Sequence, residues 1–123
     1  MLFGKFLFFL ICSVVFSSCA IKSTTSEHKN EVQKTIFENI SGIQKCYSDL
    51  IKIYPGMQGR VVTRFNINPN GDVAQANIES STVNNIQLED CVIKHLKSIK
   101  FIKNNEGTDV EVKYPFVFQP TSP

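Results

Sequence analysis

Cys91 and His95 are the pair whose types and spacing could do chemistry. Four residues apart on a helix they share one face, and a thiol beside an imidazole is either a nucleophile with its base or half of a metal site. Neither reading is complete along the chain. A structural zinc site wants about four ligands, and a catalytic thiol wants a third group to orient its base; no further partner is evident. Cys46, the other cysteine in the body of the chain, opens a third use, a disulfide with Cys91. Elsewhere Ser80-Ser81 lacks a nucleophile elbow, Glu89-Asp90 reads as helix-start charge, and no glycine loop could cradle phosphate. An enzyme is therefore the weaker class, and no metal, cofactor or small-molecule substrate is expected.

The compartment decides how to read the thiols. Lys5 precedes an apolar run from Phe6 to Phe16, far short of the ~20 residues that a spanning helix needs, and small Ser17 and Ser18 follow. This is an export signal rather than an anchor helix. The ending Phe16-Ser17-Ser18-Cys19-Ala20 resembles the lipobox of bacterial lipoproteins, with Phe16 in place of the usual leucine. That resemblance implies a signal peptide over residues 1–18 and an acylated Cys19 as the first mature residue; the alternative is an ordinary signal peptide cleaved near Ala20. Cys12 lies too early, inside the apolar run, to compete. Several acyl chains on Cys19 would anchor the protein stably to a membrane that it does not cross. Ala20, where an Asp would retain the protein, resembles lipoproteins sent to the outer membrane. The expected location is the periplasmic face of the cell envelope. In an exported protein Cys46 and Cys91 are most simply a disulfide, and closing a loop of about 45 residues stabilises by about 4 kcal/mol on the chain-entropy model.

Charge excludes one partner class. Of 13 Lys and Arg, loss of Lys5 leaves 12 against 11 acids, which is no electrostatic footprint for nucleic acid. The series Lys94, Lys97, Lys100 and Lys103 reads as a solvated helix face.

The elements that must hold these residues follow from periodicity. Residues 19–30 are read as the acylated Cys19 and a flexible tether, Ser/Thr-rich and polar from Ile21; His28 lies there or at the first helical turn, and no role is assigned to it. From Glu31, the residues Val32, Ile36, Ile40, Ile43, Tyr47, Leu50 and Tyr54 recur at three- and four-residue steps as one helical stripe, ended by Pro55-Gly56. From Gly59 to Ile78 two alternating runs flank Asn68-Pro69-Asn70-Gly71, a β-hairpin whose second arm changes parity and so implies a bulge near Val73. Asn84-Asn85 offers an N-cap for a second helix with the stripe Leu88, Val92, Leu96 and Ile99. Val110, Val112, Tyr114, Phe116 and Phe118 alternate with Glu111, Lys113, Pro115 and Val117 in a last strand, and Pro115 places that strand at a sheet edge. The expected fold is α+β, in the order α-β-β-α-β: two helices on one face of a three-stranded antiparallel sheet, with the first strand in the centre.

Cys46-Tyr47, Leu50, Pro55, Gly59, the Arg60-to-Ile67 strand, Gly71, Val73, Ser81-Thr82, Cys91, Phe101 and Tyr114-Pro115-Phe116 with Phe118 resemble the AgmX/PglI C-terminal domain. That domain is a branch of the TonB C-terminal-like superfamily, and the likeness sets the domain at residues 31–119 with a tail at 120–123. Lys100 and Ile102 replace the tryptophan and proline usual around Phe101. The chain lacks the spanning helix and proline-rich spacer that energise outer-membrane transport, so the resemblance implies an envelope binding role without energy transduction. The partner would be an envelope or outer-membrane protein, captured as an added strand along Val110, Glu111, Val112, Lys113 and Tyr114. The alternatives are a structural lipoprotein of an envelope or motility assembly, and a cryptic thiol or metal enzyme.

Overall fold

The computed structural model describes residues 24–120. Cys19, the expected site of acylation, and Cys12 lie outside them. Three helices and three strands follow one another as α1 (Thr24–Glu38), α2 (Ile40–Leu50), β1 (Gly59–Ile67), β2 (Val73–Ser81), α3 (Ile86–Ser98) and β3 (Val110–Phe118). The strands form one antiparallel sheet in the order β2-β1-β3. The α+β architecture and the central place of the first strand are as the sequence implies.

The first helical stripe is divided, and the reason is local. Asn39 leaves helical geometry: its backbone N–H bonds Ile36 O at 3.1 Å, while its side-chain Nδ2 donates to Thr35 O at 2.8 Å. The side chain thus takes the carbonyl that the helical amide would have used, the competition by which Asn breaks helices. The turn lets Ile36 from α1 and Ile43 from α2 both reach the core. Helix α1 begins at Thr24, within the stretch read as a tether, with Glu27 in the first turn where the macrodipole favours an acid. At the other end the stripe stops at Leu50, and Tyr54 is exposed beyond it.

On β1 the alternation is strict: Val61, Thr63, Phe65 and Ile67 are buried, and the residues between them are not. The parity change in β2 has its bulge at Ala74, the extra residue between the pairs Asn66–Gln75 and Ile67–Val73. A second bulge, which the sequence does not announce, lies at Glu79. Gly71 has φ +89°, and a Cβ there would strike Phe101 O; the Gly71 carbonyl accepts from Phe101 N at 2.8 Å. Glycine is therefore required twice, by conformation and by close approach, and the hairpin turn is tied to the segment that follows α3. Asn85 caps α3 by accepting from Leu88 N at 3.0 Å. That places Leu88, Val92 and Leu96 fully inside, against Phe65 and Val61 of the sheet's inner face.

Candidate functional site

Two places in this frame hold the expected site residues, and they are built differently. At the corner where α2 meets α3, Cys46 and Cys91 are joined as a disulfide with their Cα atoms 6.0 Å apart. The bridge rests on the stripes beside it, because Ile43 and Val92 bring the two helices together over the sheet. Cys46 Sγ lies 3.4 Å from Gly42 O, a contact that becomes an S–H···O hydrogen bond only in the reduced thiol.

His95 completes this corner. The ligand atoms of Cys46, Cys91 and His95 all lie within 4.8 Å of one another. The missing neighbour of the Cys91–His95 pair is thus Cys46, from a helix nearly fifty residues earlier. Gly42 makes the room: an added Cβ would stand 2.6 Å from His95 Nδ1 and 2.9 Å from Cε1. Gly42 has no positive φ, so the backbone does not require glycine there. A helical glycine costs about 1 kcal/mol relative to alanine, and what its bareness provides here is a seat for the imidazole.

The second place is the outer edge of β3. This strand pairs with β1 alone among the described strands, from Val110 opposite Ile67 to Phe118 opposite Gly59. Pro115, opposite Val62, has no N–H to give, so its nitrogen faces away from β1. By alternation the N–H groups of Lys113 and Glu111 also point outward, while Val112 and Tyr114 bond to β1. Thr63, fully buried, adds a tie by donating its hydroxyl to Tyr114 O at 2.9 Å.

Beneath this edge, on the helix side, two grooves meet at Tyr114. One of about 410 Å³ lies between α1 and residues 110–114, with Val32 and His28 in its lining. The other, about 750 Å³, lies between α2 and residues 114–120, lined by Ile40, Tyr47 and Phe116 among others. Sequence reading gave His28 no part; its place beside the edge depends on α1 starting at Thr24, which no stripe in that polar stretch signals. Tyr47 is held by donating its hydroxyl to Met57 O at 2.6 Å and by packing on Phe118, ring centroids 5.3 Å apart. Burial pushes its phenol pKa up.

On the opposite face of the sheet, Glu111 and Lys113 are already engaged. Arg64 of β1 donates to Glu111 at 2.6 Å and also to Glu79 of β2, and Lys113 reaches Glu79 at 2.9 Å. The Arg64 guanidinium first, and the Lys113 ammonium second, hold the Glu79 carboxyl below the usual carboxylate range; the same contact with Glu79 raises Arg64. Glu111 and Lys113, expected to lie along the partner-binding edge, therefore also belong to a cross-strand network. The bulge at Glu79 could not be counted from alternation alone.

A staple at one corner, a strand edge unpaired by any described strand at the other and a helix-backed antiparallel sheet define a small α+β domain. Residues 52–120, more than half of the chain, match the model of the Gram-negative bacterial TonB protein C-terminal family. The chain belongs to this family. Its fold is similar to two solution NMR structures of the Helicobacter pylori TonB C-terminal domain. The shorter fragment matches at 24% identity and TM-score 0.55 over 72% of this chain and 97% of its own. The longer matches at 24% identity and TM-score 0.50 over 83% and 99%. No curated protein matches the chain. No helix among the described residues is long and apolar enough to cross a membrane.

Proposed function

We propose that this chain is a lipid-anchored, protein-binding module of the cell envelope, of the AgmX/PglI branch of the TonB-like domains. The observation that carries the binding reading is the outer edge of β3: unpaired by any described strand, with outward donors at Glu111 and Lys113 and an apolar groove beneath. An exposed edge is a template on which an extended segment adds a strand, its main chain giving affinity and alternate side chains giving specificity. A segment added along residues 110–114 would point every second side chain into the groove lined by Val32 and Tyr114. Its other side chains would meet the charged face at Glu111 and Lys113. The partner is an envelope or outer-membrane protein carrying an extended segment of alternating apolar and polar residues.

The test is Lys113→Pro, which deletes one outward donor at a position of the same parity as Pro115, with Lys113→Ala as the control for the lost side chain. Lys113→Pro should keep the fold by circular dichroism, while its affinity for a partner captured by envelope crosslinking falls at least tenfold below that of Lys113→Ala. Equal affinity in the two variants would exclude strand addition at this edge.

Anchoring rests on the lipobox-like residues Phe16 to Ala20, with cleavage after Ser18 and acylation of Cys19. Cys19→Ser should either release the domain into the soluble periplasm or leave the precursor unprocessed. A correctly cleaved Ser variant that still sediments with membranes would show that another feature holds it there.

A further inference from the structure

We propose that Cys46, Cys91 and His95 form a metal site that the disulfide keeps closed and that reduction opens, taking a cation such as Zn²⁺ with one coordination position left to solvent. The convergence is geometric. Zn–S bonds of about 2.3 Å and Zn–N bonds of about 2.0–2.1 Å in a tetrahedron set ligand atoms roughly 3.5–3.8 Å apart. The three ligand atoms here already lie within 4.8 Å of one another, from two rigid helices. Once the sulfurs are released from their bond, rotation at Cys46 and Cys91 suffices to set that spacing.

The ligand set selects the cation. Two thiolates and an imidazole suit Zn²⁺ and disfavour Mg²⁺ and Ca²⁺, which take oxygen ligands. Three protein ligands with the fourth position left to water differ from closed structural zinc, which takes all four ligands from the protein. Cys46 is buried while Cys91 and His95 are half-buried, so the site opens to solvent on the α3 side. Gly42 supplies the independent observation. The imidazole sits where a Cβ on α2 would stand, so packing against bare helix backbone holds the ring beside the sulfurs before any metal arrives. The oxidised corner has no thiolate and cannot bind.

Both steps balance. A dithiol reductant gives two electrons and two protons to the disulfide, becoming a disulfide itself and leaving two thiols on the protein. The arriving cation then displaces those two protons as it binds the sulfurs.

The experiment uses the full chain carrying Cys12→Ser and Cys19→Ser, so that of the four cysteines only the site pair remains. After anaerobic reduction by a phosphine and its removal, Zn²⁺ alone is titrated in competition with a chromophoric chelator. One Zn²⁺ should bind per reduced chain and none per oxidised chain, and Co²⁺ in its place should show a thiolate charge-transfer band with tetrahedral d–d absorption. His95→Ala should melt with the wild type when oxidised and bind Zn²⁺ at least about tenfold more weakly when reduced, as removal of a ligand must cost no less than loss of an outer-shell partner. Gly42→Ala, which displaces the ring but leaves every ligand in place, should also weaken binding. If the reduced chain is unfolded, Zn²⁺ should restore its helical circular dichroism. Failure to refold, absence of Zn²⁺ binding, or equal affinity in wild type and His95→Ala would each overturn the proposal.

Discussion

The α2–α3 corner and the outer edge of β3 flank the same core and solve opposite problems. The corner is closed by a covalent bond that joins helices 45 residues apart in sequence, so its geometry persists without any partner. At the edge, main-chain groups of Glu111 and Lys113 are left unpaired by any described strand, and order there rests on one neighbour, β1, and on the Thr63 hydroxyl. The covalent constraint and the strand edge left unpaired by any described strand lie in different parts of the molecule.

Removing the staple tests that division most severely. Reduction, or Cys46→Ser, should destabilise the domain by about 4 kcal/mol, the loop-closure value for this separation, with a fall of tens of degrees in melting temperature. Melting that is indifferent to reductant would mean that the corner is held by packing alone, and the contrast with the edge would collapse. A smaller change probes the edge from within. Thr63→Val keeps the buried shape but removes the donor to Tyr114 O, and should cost about 1 kcal/mol. Amide exchange by NMR locates the loss: in the wild type Glu111 and Lys113 should exchange faster than Val112 and Tyr114, and the variant should speed the latter pair while leaving α3 protected. Equal exchange across the four would contradict the outward parity assigned from Pro115.

The smallest expected effect is electrostatic. The folded-state pKa of Glu79 is depressed by Arg64 and then Lys113, so its contribution is present above the unfolded carboxylate pKa and is lost as pH falls through the folded one. These charges are exposed, and solvent screening keeps the gain small. Denaturant midpoints should decline through the acid range less steeply in Glu79→Gln than in the wild type. Parallel curves would show that the network on the open face adds nothing to stability.

How much was legible differs between the same two regions. The apolar stripe of α3, the alternation of β1 and β3 and the edge position implied by Pro115 are periodic signals. Periodicity is local: it depends only on which residues lie two, three or four apart, so Leu88, Val92, Phe65 and Phe116 could be assigned to the core from the chain alone. The order of strands follows from the same signals, because a hairpin followed by a helical crossover leaves its first strand in the centre. The break at Asn39 was not legible, since Val32 to Leu50 keeps one stripe across it and only the side-chain bond to Thr35 O decides against a continuous helix. Nor was the bulge at Glu79, which sets a carboxylate between Arg64 and Lys113. Above all, sequence paired Cys91 with Cys46 as a disulfide and, separately, with His95 on one helix face, but did not join the three, because spacing on one helix cannot say how the next helix lies against it. That Cys46 meets them both, and that Gly42 leaves room for the ring, depends on how two helices cross over a sheet. Such a crossing is decided by packing among residues far apart in the chain, and no local period records it.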